Sequence, residues 1–228
     1  MNFALESDIL VQLISCFQDK DSAIRELAAR AVLKVTNTEM GRVIFVSNNL
    51  IEVTATLFND PVTQIRNNAY VCLINLAKFT FGMQAIIDAD ILRVLVDKLV
   101  EEKVPEILIL ILELMEILLH GDMATPFVLN TPVLERLNTH LASPEWRIRQ
   151  LAAQNLGSIS FNVDGKRQTI EEQSIPPLCE MLSDTISDVR TSAVRALASL
   201  AQLKEGKVQI YDLDKLNQII ELLFDLDE

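Results

Sequence analysis

A β-branched residue followed by arginine recurs along the chain at Ile24-Arg25, Ile65-Arg66, Ile148-Arg149 and Val189-Arg190. The arginines stand 41, 83 and 41 residues apart, and 83 is one period of 41 plus one of 42, with the missing member at Ile107-Leu108. Two further ladders keep the register. Gly41 and Gly82 are 41 apart, as are Gly165 and Gly206. Asp19, Asp60 and Asp184 each lie six residues before their arginine, while Glu102 stands six before Leu108 and Ser143 six before Arg149. A period of this size marks a chain that stacks one supersecondary unit on the next, because a single repeat cannot bury its own apolar face.

Each repeat reads the same way. A short helix opens after the glycine, as in Met83–Asp88, and a second, apolar helix follows, as in Ile91–Val100. A polar turn such as Asn59-Asp60-Pro61 or Ser183-Asp184 leads into a longer third helix. The apolar positions Ile24, Leu27, Ala28, Ala31, Val32 and Val35 have helical spacing. Third helices are expected at about 24–37, 63–79, 105–119, 146–160 and 188–203. Asp21 or Ser22, Thr63 and Ser187 or Asp188 are their candidate N-caps. Ala28, Ala69, Ala152 and Ala193 share one register position, where small side chains let neighbouring helices approach. A sixth repeat begins at Leu213 and carries only its second helix. The expected fold is all-α: one right-handed solenoid of about five and a half repeats of 41–42 residues, with residues 1–228 as a single domain.

Composition narrows the function. Half of the 228 residues are hydrophobic and only 5% are aromatic, which suits helices better than a β-sandwich. The net charge of −12 repels phosphate at long range, so neither nucleic acid nor an anionic membrane is expected as a partner. The most apolar stretch, Val104–Leu119, is short for a bilayer span and holds Glu106, Glu113 and Glu116. The N-terminal residues lack the basic and apolar pattern of a signal peptide, so a cytoplasmic location is expected.

No constellation for catalysis stands out. His120 and His140 are the only histidines, and neither has a ligand partner at metal-binding spacing. Cys16, Cys72 and Cys179 fall in different repeats and form no CxxC pair, which suits small buried hydrophobes in a reducing compartment. Each of the six glycines stands apart, so no phosphate-cradling loop is present. No cofactor, metal, small-molecule substrate or enzymatic activity is expected.

A three-helix repeat of 41–42 residues, with segments such as Gln84-Ala-Ile-Ile-Asp-Ala89, resembles the armadillo repeat, and the Asp-to-Arg spacing resembles its HEAT relative. Several phrases are more particular: Thr38-Glu-Met-Gly-Arg-Val-Ile-Phe45, Ile148-Arg-Gln-Leu-Ala-Ala153 with Val163-Asp-Gly-Lys166, and Ile175-Pro-Pro-Leu followed by Leu182-Ser-Asp-Thr185. In this order they resemble the armadillo-type radial spoke head family, number fourteen of the spoke head proteins. That resemblance implies a structural, non-enzymatic scaffold in the cytoskeleton of motile cilia and flagella, with other radial spoke or axonemal proteins as partners. The alternative is a soluble armadillo adaptor that binds an extended peptide for signalling or transport.

Solenoids commonly bind partners along the concave face. In armadillo proteins of the nuclear-import type the third helix presents Trp and, four residues on, Asn. Here the first position reads Arg30, Val71, Glu113, Gln154, Arg195 and the second reads Lys34, Asn75, Ile117, Ser158, Ser199. No Trp stands there, and Trp146, the only tryptophan, lies off the ladder. The expected groove is therefore mixed, positive at both ends and apolar or acidic between. The last helix is expected to present Leu222 and Leu226 as a second protein-binding surface, with the acidic residues Asp225, Asp227 and Glu228 at its rim.

Overall fold

The computed structural model describes residues 3–120 and 124–225. The α-helices run α1 (Phe3–Ser15), α2 (Ser22–Thr36), α3 (Glu39–Ser47), α4 (Leu50–Ala55), α5 (Thr63–Ala77), α6 (Thr80–Asp88), α7 (Ile91–Glu101), α8 (Pro105–Leu119), α9 (Thr125–Val128), α10 (Val133–His140), α11 (Trp146–Ile159), α12 (Val163–Glu171), α13 (Ile175–Glu180), α14 (Ser187–Leu200), α15 (Lys204–Asp212) and α16 (Leu216–Asp225). Three 3₁₀ turns follow α1, α4 and α13, and no strand occurs among the described residues. The expected third helices are α2, α5, α8, α11 and α14, with ends within three residues of those read from the periodicity. None of these helices is long and apolar enough to cross a membrane.

The chain divides into two compact units, Met1–Val94 and Leu95–Glu228. In the N-terminal unit α2 packs on α5. The ladder alanines Ala28 and Ala69 are buried, as are Ile65, Leu73 and Leu76. The Phe58 and Tyr70 rings stack at 3.9 Å between centroids. In the C-terminal unit α11 packs between α8 and α14, with Ala152 and Ala193 buried. Helix α8 is apolar nearly all round: Ile107, Ile111, Leu112, Leu114, Met115 and Leu119 have no exposure, while Ile109 and Leu110 are half-buried. Asn155, also without exposure, donates from Nδ2 to the Leu112 carbonyl on α8 at 3.0 Å and to the Leu151 carbonyl at 2.8 Å.

The glycine ladder sits inside the first helices, at their third residue, rather than ahead of them. Its cause is a close approach and not a helix junction. A Cβ on Gly165 would lie 1.9 Å from the Ile159 carbonyl oxygen at the end of α11, and one on Gly82 would lie 2.3 Å from that of Leu76. The cation that follows two of these glycines meets the carbonyls at the end of the preceding third helix. Arg42 Nη1 donates to the Thr36 carbonyl and Lys166 Nζ to the Phe161 carbonyl, each at 3.0 Å. Positive charge there opposes the negative end of the helix dipole.

The turns from first to second helix form a ladder of their own. Asn49, Asp90, Gln173 and Asp214 are left-handed, with φ of 54°, 54°, 56° and 53°, again spaced 41, 83 and 41 apart. The N-caps differ in part from expectation. Asp21 caps α2, accepting from the Ala23 N–H at 2.9 Å. At α5 and α14, however, Thr63 and Ser187 are already helical, and Val62 and Ile186 stand at the cap. There the ladder carboxylates of Asp60 and Asp184 reach into the turn and accept the Val62 and Ile186 N–H groups at 2.9 and 3.0 Å, so the cap side chain has no such role to fill.

Candidate functional site

The Asp–Arg ladder frames each third helix. Every ladder arginine donates from Nη1 to the carbonyl six residues back: Arg25 to Asp19, Arg66 to Asp60 and Arg190 to Asp184 at 2.9 Å, and Arg149 to Ser143 at 2.8 Å. Two also clasp the aspartate 35 residues on. Arg25 Nε and Nη2 meet the two carboxylate oxygens of Asp60 at 2.7 and 3.2 Å, and Arg149 meets those of Asp184 at 2.7 and 3.0 Å. This two-point geometry fixes a planar guanidinium against a carboxylate. Burial pushes the Asp60 carboxyl up, but the hydrogen bonds from Arg25 and the Val62 N–H outweigh it and leave the carboxyl below the usual range. For Asp184 the Arg149 hydrogen bond is the leading cause of a shift in the same direction.

The groove positions fall in both units. In the N-terminal unit Arg30 and Lys34 are exposed on α2 and Val71 is half-buried on α5. Asn75, also half-buried, donates from Nδ2 to Asn37 Oδ1 at 2.8 Å, which ties the ends of two third helices. In the C-terminal unit the faces of α8, α11 and α14 enclose an open cavity of about 630 Å³. Gln154, Ser158, Arg195 and Ser199 all line it. Ser199 Oγ donates to the Ser160 carbonyl at 2.6 Å, so its hydroxyl proton is engaged. Glu113 and Ile117 lie outside the lining, and Glu113 is paired with Arg147 at 2.8 Å.

Glu116, His120, Phe161 and Gln202 also line this cavity and were not singled out in the sequence. They lie at or beyond the C-terminal ends of the third helices, whereas the Trp–Asn register samples mid-helix positions only. The floor is small: a Cβ on Gly157 would meet Ala196 at ordinary contact distance, 3.6 Å, which leaves room for a main chain laid across it.

At the last helix, Leu222 is half-buried, and Leu226 lies outside the described residues. Exposed apolar surface at this end belongs to Val208 and Tyr211 on α15 and to Leu216 and Ile220 on α16. An apolar pocket of about 410 Å³ opens between Lys207, Val208, Tyr211 and Leu216.

The thiols and imidazoles have quiet surroundings. Burial pushes the Cys72 thiol up to about 12 and the Cys179 thiol up to about 11. Only the thiolate is nucleophilic, so Cys16, half-buried and without this penalty, is expected to react first with iodoacetamide at pH 8. Peptide mapping should find Cys72 and Cys179 unmodified until the chain is denatured; early labelling of Cys72 would contradict its placement. Burial lowers the pKa of His140, whose Nε2 lies 2.9 Å from the Leu99 carbonyl. Among the described residues no three His, Cys, Asp or Glu side chains converge as a metal site would require.

Two family models match parts of the chain. A HEAT-like repeat model matches residues 146–200, and a model of the non-SMC mitotic condensation complex subunit 1 matches residues 5–117. Among solved structures, an engineered protein superposes with a TM-score of 0.84 at 22% identity, covering 98% of this chain and 90% of its own. Computationally designed armadillo repeat proteins for modular peptide recognition give 0.84 at 19% identity over 93% of this chain and 91% of theirs. A designed armadillo repeat protein in complex with the peptide (KR)4 gives the same values. The fold of this chain is that of an armadillo/HEAT-like α-helical repeat solenoid.

Proposed function

We propose that residues 1–228 form a non-enzymatic scaffold that holds other proteins along its third-helix faces, as a component of the radial spoke in the axoneme of motile cilia and flagella. The observation that carries the binding reading is the open groove over α8, α11 and α14, where Gln154, Ser158 and Arg195 offer donors beside the bare floor at Gly157. The axonemal assignment rests on the resemblance of Thr38–Phe45, Ile148–Ala153 and Ile175–Leu178 to the radial spoke head family. The exposed apolar residues of α15 and α16 offer a second contact surface for a spoke or axonemal protein.

In ciliated cells the protein is expected to stay with axonemes after detergent treatment and to co-extract with spoke proteins at high salt. Arg195→Glu combined with Gln154→Arg should release it, while the purified variant keeps its helical content, since exposed substitutions of this kind change stability by only about 0.5 kcal/mol. Recovery of the wild-type chain wholly in the detergent-soluble fraction would instead support a soluble adaptor that binds an extended peptide. That second reading draws on the likeness to designs made for peptide recognition. It lacks the Trp–Asn ladder of the import-type proteins, and Asn75 is occupied by Asn37.

A further inference from the structure

The position of Ile24 is covered wherever a preceding third helix lies against it. Its register equivalents Ile65, Ile148 and Val189 are 0%, 3% and 0% exposed, beneath α2, α8 and α11 respectively. Ile24 itself is 40% exposed. One turn on, Leu27 is 55% exposed, whereas its equivalents Asn68, Leu151 and Ser192 are all buried. The face of α2 on which these two residues lie thus presents apolar surface that the same register buries in later repeats.

The charge pattern beside that face names what would cover it. Asp19 holds the same turn as Asp60 and Asp184: its carboxylate accepts the N–H two residues on, from Asp21, at 2.8 Å, as theirs accept those of Val62 and Ile186. Asp60 and Asp184 each then receive an arginine from the third helix lying over them, Arg25 and Arg149. Among the described residues no side chain hydrogen-bonds to the Asp19 carboxylate, which is held in the receiving geometry by its own backbone.

We propose that this face of the N-terminal unit docks an armadillo- or HEAT-type third helix of a partner protein, through an arginine clasped by Asp19 and apolar contacts on Ile24 and Leu27. The required chemistry is an amphipathic helix whose arginine borders an apolar stripe, as Arg149 does in α11. This surface is distinct from the groove of the C-terminal unit, and variants of Arg195 and Gln154 leave it intact.

The test uses the full chain and a helix-stapled peptide of residues 146–159, which carries Arg149, read by fluorescence anisotropy. The peptide is expected to bind. Asp19→Asn keeps the turn acceptor and removes the charge, and should weaken binding at least about tenfold, the effect of losing a charge-assisted two-point bond. Arg149→Gln in the peptide should weaken it equally, and the two changes together should cost little more than either alone. Ile24→Asp should abolish binding while leaving circular dichroism unchanged. Absence of binding at millimolar peptide, or unchanged affinity in Asp19→Asn, overturns the proposal. So does concentration-dependent self-association that Asp19→Asn and Ile24→Asp abolish, because the occupant is then a second copy of this chain.

Discussion

Gly165→Ala should cost about 3 kcal/mol or more of stability, at the upper end of what overpacking a tight site costs. Its Cβ would stand 1.9 Å from the Ile159 carbonyl oxygen and 2.9 Å from the carbonyl carbon. Both atoms are backbone at the end of α11, so no side-chain rotation relieves the clash. Relief requires α12 to move away from α11, which would break the Asn162 cap on the Gly165 N–H and the bond from Lys166 Nζ to the Phe161 carbonyl. Gly157→Ala is the control. It lies in α11, where a methyl would meet Ala196 at 3.6 Å, and alanine gains up to about 1 kcal/mol of helix propensity over glycine. Urea unfolding of the full chain should therefore separate the two variants by about 3–4 kcal/mol. Equal midpoints would show that α11 and α12 do not approach as described.

The repeat made the third helices readable before any coordinates, because their boundaries depend on apolar spacing and on turn residues that recur in register. The reading 105–119 for the middle helix coincides with α8, although the ladder arginine is replaced there by Leu108. Other features were hidden for identifiable reasons. The left-handed ladder repeats in backbone conformation while its side chains change from Asn49 to Asp90 to Gln173, so no residue identity marks it. The glycines were visible, but their cause was not: a lone glycine between helices reads as a junction, and only the carbonyl six residues earlier shows that a Cβ would not fit. The caps moved because Asp60 and Asp184 serve two partners at once, a neighbouring arginine and the turn N–H. At the groove, the residues beyond the mid-helix register, His120 and Phe161 among them, depend on where each third helix ends. The aspartates' arginine partners were legible as a spacing, but which repeat supplied each arginine required the packing.

Removing Arg149 should be more damaging than replacing the whole pair it belongs to. Arg149 and Asp184 are 17% and 10% exposed at their side chains, so the pair is shielded but reached by solvent at its rim. Breaking a fully buried pair costs about 3–5 kcal/mol, and screening at the rim reduces the expectation for Arg149→Ala to about 1–2 kcal/mol. That loss should depend on pH in a definite direction. The folded Asp184 carboxyl lies below its ordinary value, so its contribution is present above the unfolded value of about 3.9 and is lost as pH falls through the folded one. The gap between wild type and Arg149→Ala should therefore be full near pH 7 and narrow below about pH 4. The chain itself suggests the rescue. Leu108 and Ser143 occupy the arginine and aspartate positions one repeat earlier, 35 residues apart like Arg149 and Asp184, so there both charges are absent together. Leu108 is 7% exposed, which shows that the arginine position accepts an apolar side chain. Arg149→Leu with Asp184→Ser leaves no carboxylate without its cation and should recover at least half of the stability lost in Arg149→Ala. A double variant less stable than Arg149→Ala at pH 7 would mean that the ladder acts through the cap on the Ile186 N–H rather than through the ion pair.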